Sequence, residues 1–195
     1  MSHSNSFLRI PALVLRQKVR PLPRIHVLDE DVVRLRVWPQ DIDFNFHLNN
    51  ARYLSFMDYG RIHLMAATGI LTPAIRHRWQ PLVGSISITY RRSLGFLAPF
   101  DLSSRMLCWD EKWMYMEQVF RLNDRRLNDR RLNDGRSKDG LAAIAWVKGL
   151  FRGADGNVPP QKIVDLVAPG VTSPAVPESL EMWNALTKEK LAAGE

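Results

Sequence analysis

The feature that most constrains the fold is a single helix, predicted over residues 51–68, that is apolar around most of its circumference. Asn49 or Asn50 is a natural N-cap for it, and Gly69 is a natural stop. Its apolar positions include Tyr53, Leu54, Phe56, Met57, Ile62, Leu64 and Met65. Because a helix of this kind belongs in a core, the remainder of the chain has to be arranged around it.

Strands account for most of that remainder. One is predicted at residues 32–37, ahead of the helix, and four follow it at residues 85–90, 102–109, 113–121 and 141–151. The segment 85–90 alternates strictly between polar and apolar residues, which is typical of a half-buried strand. The segment 141–151 is almost continuously apolar, so we expect it inside the sheet with both faces covered. This order predicts an α+β fold in which an antiparallel five-stranded sheet wraps around one long central helix.

The two ends of the chain differ in composition from the middle. We interpret residues 1–30 as a basic N-terminal extension, 31–168 as the domain, and 169–195 as a Pro-rich linker with a C-terminal helix. Residues 7–20 mix apolar side chains with Arg and Lys, which indicates either peripheral contact with a membrane or partner, or a strap packed on its own domain. Their apolar run is too short for a signal peptide or a membrane span, and the lone Cys108 fits a reducing compartment, so a cytoplasmic location is expected.

A basic tandem repeat lies between the last two predicted strands. The chain has a net charge of +7, and residues 121–138 hold seven Arg or Lys against three Asp. Three near-identical five-residue units begin at Arg121, Arg126 and Arg131. The segment 121–139 is either a hairpin loop lengthened by repeat expansion or an arm that binds phosphates. It has no aromatic residue for base stacking, and no nucleic-acid partner is expected.

The chemically informative segment comes directly before the helix. It contains two acids, Asp41 and Asp43, together with His47, Asn49 and Asn50. A helix start presents unpaired N–H groups and the positive end of the helix dipole. An acid that attacks or activates water, facing a carbonyl held by such N–H groups, is what thioester hydrolysis requires. Asp43 is the main candidate for this acid, and Asp41 is either a second candidate or a cap of the loop.

This segment also carries a family resemblance. From Asp41 to Tyr53 it reads D-x-D-x-x-F-H-x-N-N-x-x-Y, which resembles the hotdog-fold acyl-CoA thioesterases of the 4-hydroxybenzoyl-CoA thioesterase type. The same segment and the later stretches 90–94, 109–113 and 148–151 are similar to the thioesterase-superfamily-member-6-like branch of that family. The resemblance covers roughly residues 30–165.

The resemblance implies a fold, a reaction and a set of residues. It implies a hotdog fold, a homodimer or higher homo-oligomer, and hydrolysis of an acyl-CoA or related acyl thioester to the free acid and a thiol. No metal or cofactor is expected, since CoA is part of the substrate. Asp43 is then the general base or nucleophile, and the Asn50 main-chain N–H polarises the carbonyl. The remaining expected site residues are His47 in the catalytic group and Asn49, Phe46, Tyr53 and Asp58 in substrate binding. His47 is either a structural hydrogen-bonding residue that fixes the loop or a proton carrier.

Two alternatives stay open at the level of sequence. Phe46 stands where the family pattern has glycine, and a bulky side chain there would narrow the acyl channel. The alternative function is therefore an acyl-thioester-binding hotdog protein without catalysis. Asp58, three residues before Arg61 in the predicted helix, either pairs with that arginine or serves as a second acid.

Overall fold

The computed structural model of the chain describes residues 11, 13–15, 22–123 and 140–192. Its strands are β1 (Asp31–Arg36), β2 (Gln80–Tyr90), β3 (Pro99–Trp109), β4 (Met114–Leu122), β5 (Leu141–Gly153) and β6 (Gly156–Val158). Its helices are α1 (Asn50–Thr68), α2 (Leu71–Arg76), α3 (Pro160–Asp165) and α4 (Glu178–Ala192). Of the repeat loop predicted at residues 121–139, the first two residues, Arg121 and Leu122, are the end of β4, and residues 124–139 lie outside the described residues.

The strands form one antiparallel sheet in the order β1-β3-β4-β5-β2, and β6 pairs with β5. This confirms the predicted α+β architecture of an antiparallel sheet around one long helix, but the described residues contain six strands where five were predicted. The missed strand, β6, has only three residues, which is too short for an alternating pattern. Strand β2 also begins five residues earlier than predicted, because Pro81 and Gly84 interrupt the alternation at its start.

Helix α1 lies in the concavity of the sheet, as its apolar circumference predicts. It begins after the N-cap Asn49 and ends at Gly69, whose φ of 89° is the left-handed conformation that favours glycine. Phe56 and Met57 are buried in one cluster with residues of the central strands, including Phe100, Leu102 and Phe120. The helix start, and with it the segment ahead of it, is therefore fixed by the main core.

Both faces of β5 are covered, as predicted. On the inner face, Ala145 and Val147 belong to the core around α1. On the outer face, Trp146 lies 6.2 Å from Trp183 of α4, measured between ring centroids. Leu180 of the same helix is buried with Cys108 and Tyr115 of the sheet. Helix α4 is thus docked on the outside of the sheet.

Of the N-terminal extension, the structure describes residues 11, 13–15 and 22–30. Leu13 is buried, whereas Leu15 is 64% exposed. Within the segment 7–20, residues 11 and 13–15 are the ones that the structure describes. Within the described ranges, none of the helices combines the length and the apolar character needed to cross a bilayer.

Candidate functional site

A tight loop directly before α1 carries the predicted acid. The Asp43 N–H donates to the His47 carbonyl at 2.9 Å, and the Phe46 N–H donates to the Asp43 carbonyl at 3.1 Å. Single bridges pair Ile42 with Leu48 and His47 with Gly95. The loop is thereby held both to itself and to the segment that follows β2.

The Asp43 side chain is oriented by main-chain donors. Its Oδ1 accepts N–H groups from Asn45 at 2.8 Å and from His47 at 3.3 Å. No residue in the described ranges donates to its Oδ2. The half-buried carboxylate is therefore held in place at one oxygen, while the other is available to a ligand or to water.

Asp41 has a different environment. Its side chain is 1% exposed, accepts the Trp38 N–H at 3.1 Å and pairs with Arg52 at 2.7 Å. In an extended segment Asp41 and Asp43 would share a face, but the chain forms a 3-10 turn at Pro39–Asp41 and turns Asp41 inward. Asp41 is therefore a structural cap of the loop, which is one of the two roles that the sequence allows for it, the other being a second candidate for the reacting acid.

Asn49 and Asn50 have different roles at the start of α1. Asn49 is the N-cap, and its side-chain oxygen accepts the Ala51 N–H at 2.9 Å. Asn50 is the first helical residue, and its N–H has no acceptor among the described residues. Such a free N–H at a helix start is a donor for a developing oxyanion.

Phe46 and His47 contribute to the loop mainly through their backbones. Phe46 has a φ of 59°, so the position requires the left-handed conformation that glycine adopts most easily. Its side chain is 70% exposed and does not line the cavity beside α1, so it does not obstruct that cavity in the monomer. The His47 N–H and carbonyl both bind Asp43, and its side chain is exposed.

Tyr53 and Asp58, both expected to bind substrate, lie in contrasting surroundings. Tyr53 is 2% exposed and packs edge-on against Tyr90 and Phe120, and burial raises its pKa to about 12. Its ring therefore belongs to the core under the helix start. Asp58 is exposed and forms an ion pair with Arg61. That pairing was one of its two interpretations.

An apolar cavity of about 170 Å³ opens beside the C-terminal half of α1. Among its lining residues are Ile62 and Met65 of the helix, Leu82 of β2, Met116 of β4 and Leu150 of β5. The positions Asn50, Leu54 and Asp58 are exposed and follow each other at helical spacing of four. They form an open face of α1 that leads from the helix start to the cavity.

Sequence reasoning missed a buried polar network at this cavity. The Gln118 side chain, fully buried on β4, donates to the Met57 carbonyl at 3.1 Å and to Ser104 Oγ at 2.8 Å. Its Oε1 accepts an N–H from Arg61 at 2.9 Å. The available signal was Gly60, an unexpected glycine in the middle of a strong helix, because it gives these polar groups room to approach.

The chain matches a defined family over most of its length. The thioesterase-like superfamily matches residues 37–179, so the chain belongs to this family, as its motif indicates. Protein THEM6 of Xenopus laevis is 34% identical over 114 residues, which are 58% of this chain and 55% of that protein. The chain spans about half the length of the curated relatives it matches.

Solved structures share the fold. A probable thioesterase of Escherichia coli, YbaW, superposes with a TM-score of 0.58 and 18% identity over 71% of this chain and 96% of that one. A mutant 4-hydroxybenzoyl CoA thioesterase complexed with 4-hydroxybenzoyl CoA gives a TM-score of 0.58 and 10% identity over 71% and 99%. At these identities the similarity establishes the hotdog fold.

Proposed function

We propose that this protein hydrolyses an acyl-CoA or related acyl thioester to the free acid and the thiol. Water adds to the thioester carbonyl while Asp43 accepts its proton. The Asn50 N–H stabilises the oxyanion, and the C–S bond then breaks as the thiolate leaves and takes up a proton. In a variant of the same scheme, Asp43 attacks the carbonyl itself and the C–S bond breaks to expel the thiolate. Water then hydrolyses the resulting mixed anhydride, which releases the free acid and restores the Asp43 carboxylate.

One observation supports this proposal above the others. Asp43 is held by two main-chain N–H groups at Oδ1 and has no partner at Oδ2 among the described residues. Seven residues later, the free N–H of Asn50 stands at the start of a core helix. A fixed carboxylate in the loop directly before a helix whose first N–H has no acceptor among the described residues supplies both a base and an oxyanion donor, in a chain of the thioesterase-like superfamily.

The surroundings of the helix start suit a CoA ester. Tyr90, whose ring contacts Tyr53 of α1, is followed by Arg91 and Arg92, so two cations lie near the helix start. Cations of this kind attract the phosphates of CoA. The open face of α1 and the apolar cavity beyond it accommodate an acyl chain.

A homodimer is part of the proposal. Strand β2 is an edge of the sheet, and Leu82 and Val83 on it are 41% and 47% exposed. A long edge strand with apolar side chains is prone to pair with another strand. Pairing between two copies of β2 would cover these side chains and the mouth of the cavity that they line. Sedimentation equilibrium of wild type beside Val83→Lys tests it, because a buried lysine at the interface would shift the protein towards monomer.

The decisive experiment measures thiol release from short, long and aromatic acyl-CoAs with wild type and Asp43→Asn. Asparagine keeps the Oδ1 acceptor for the loop N–H groups but removes the base, so folding persists. We expect turnover to fall by about 10²-fold or more.

The matched control is Asp29→Asn, which alters another loop aspartate that accepts a main-chain N–H, from His26 at 2.8 Å. It should leave turnover unchanged. Wild-type kcat/KM in Asp43→Asn would remove Asp43 from the mechanism. Tight acyl-CoA binding without thiol release in the wild type would instead establish the alternative, a non-catalytic acyl-thioester-binding protein.

A further inference from the structure

We propose that Arg61 selects acyl chains that carry an oxygen acceptor remote from the thioester, such as a carboxylate, carbonyl or hydroxyl group, over plain hydrocarbon chains. This inference deepens the proposed function and rests on it. The observation behind it is a buried cation in the wall of a largely apolar cavity.

The position of the Arg61 guanidinium is fixed from two sides. Nη1 donates to Gln118 Oε1 at 2.9 Å, and Nη2 donates to Asp58. Gln118 cannot move freely, because it is fully buried and bonded to Ser104 and the Met57 carbonyl. The network thus holds a rigid cation at one place on the cavity wall.

The same guanidinium has donors to spare. It carries five N–H groups, of which Gln118 and Asp58 take one each. No other residue in the described ranges accepts from the remaining three. The side chain is only 10% exposed, and buried donors without acceptors are costly. A ligand oxygen in the cavity would satisfy them, which a methylene group cannot do.

The charges around the cavity do not forbid an anionic ligand. Asp58 is the one carboxylate among the described lining residues, and its side chain is 56% exposed at the rim. Its charge is therefore screened by water far more than the charge of Arg61 is. Burial lowers the pKa of Arg61, and the Asp58 charge opposes this, so an added acceptor would stabilise the cation further.

The distance along α1 from Asn50 to Arg61 determines how long the acyl chain must be. Asn50 and Arg61 are eleven residues apart, which is about 16 Å of α-helix. A chain whose carbonyl lies at the Asn50 N–H and which follows the open face of α1 would reach Arg61 with its far end. The preference should therefore appear for medium and long chains and vanish for short ones.

The test compares CoA esters of equal chain length, from six to sixteen carbons, with a methyl, a hydroxyl or a carboxylate at the far end. Wild type should prefer the oxygenated ester by roughly tenfold or more in kcat/KM among the medium and long chains and show no preference among the short ones. Arg61→Met should lose this preference, with the loss confined to the oxygenated ester. The hydroxyl and carboxylate arms distinguish a neutral acceptor from an anion.

The matched control is Arg105→Met. Arg105 also forms an ion pair, with Glu117 at 2.7 Å, but it is half-exposed and does not line the cavity. It should keep the wild-type preference. Equal loss for plain and oxygenated esters in Arg61→Met would indicate a structural role and overturn the inference, as would a wild type without preference.

A second readout separates this inference from the proposed function. Calorimetric binding of the same ester pairs to Asp43→Asn measures selection without turnover. If wild type hydrolyses esters but neither assay discriminates between chain ends, only the Arg61 inference fails. If nothing is hydrolysed yet the oxygenated ester binds more tightly through Arg61, only the catalytic proposal fails.

Discussion

The guanidinium of Arg52 donates two hydrogen bonds to a single carboxylate oxygen of Asp41, from Nη2 at 2.7 Å and from Nε at 3.0 Å. This pair ties the start of α1 to the loop before it. It also places one of the two acids of the motif in a structural ion pair. Asp43 is then the acid of the motif that is accessible to a ligand or to water.

Replacing Asp41 with asparagine should therefore destabilise the fold. The carboxylate is 1% exposed, and Arg52 would lose its charged partner. Because the Arg52 side chain is 29% exposed and thus partly solvated, we expect a loss of about 1–3 kcal/mol in the free energy of unfolding. Urea denaturation measures it, with Asp43→Asn as the comparison that should lose activity and keep stability. Equal stability in both variants would contradict the division of roles.

The Asn50 N–H can be removed without removing the helix. Proline is favoured at the first helical position, and Asn49, with φ of −61° and ψ of 137°, has the conformation that a following proline requires. Asn50→Pro should lower kcat by about 10²-fold, the typical effect of losing one oxyanion donor. Asn50→Ala, which keeps the N–H, should retain most of the turnover. Circular dichroism verifies that both variants fold, and a strong loss in Asn50→Ala would assign the role to the side chain.

Phe46 carries a cost that glycine would relieve. Its φ of 59° is unfavourable for a bulky residue, so Phe46→Gly should be neutral or stabilising by about 1 kcal/mol in thermal unfolding. Phe44 is 89% exposed and has no positive φ, so Phe44→Gly should not stabilise. Turnover of Phe46→Gly should match wild type, since the side chain does not line the cavity. A large gain in turnover would mean that Phe46 restricts access.

Replacing Gly60 with alanine should change stability in the direction opposite to the usual one for a helix. In most helices glycine to alanine stabilises by about 1 kcal/mol. Here the added Cβ would lie 2.8 Å from Ser104 Oγ and 2.9 Å from Gln118 Nε2. Gly60→Ala should therefore destabilise by about 1–3 kcal/mol in denaturant unfolding. A stabilised variant would mean that the side chains of Ser104 and Gln118 shift to accommodate the added Cβ at little cost.

Cys108 should make stability depend on alkaline pH. Burial, followed by the nearby charge of Asp110, raises the pKa of its thiol from 9.0 to about 11. The native state thus keeps a proton that the unfolded state loses, so stability should fall as pH rises from about 9 to 11. Cys108→Ala should flatten this part of the profile of unfolding free energy against pH. An unchanged slope would assign the dependence to other groups.

The sequence alone predicted the central architecture because the patterns there are local. The apolar circumference of α1, the Asn49 cap and Gly69 depend on neighbouring residues, and so does the alternation in β2. Short elements such as β6 and α2 were missed, since three to six residues carry too little pattern. Their formation depends on contacts with elements far away in sequence.

The candidate site divides in the same way. The sequence by itself determined the family, the motif and the placement of Asp43 seven residues before Asn50, because spacing along the chain is covalent. Only the tertiary structure decided that Asp41 forms an ion pair with Arg52 and that the Phe46 side chain is exposed to solvent. It alone also brought Arg61 against Gln118, 57 residues away, at the wall of an apolar cavity. Side-chain partners and burial are set by packing between distant segments, and no local pattern encodes them.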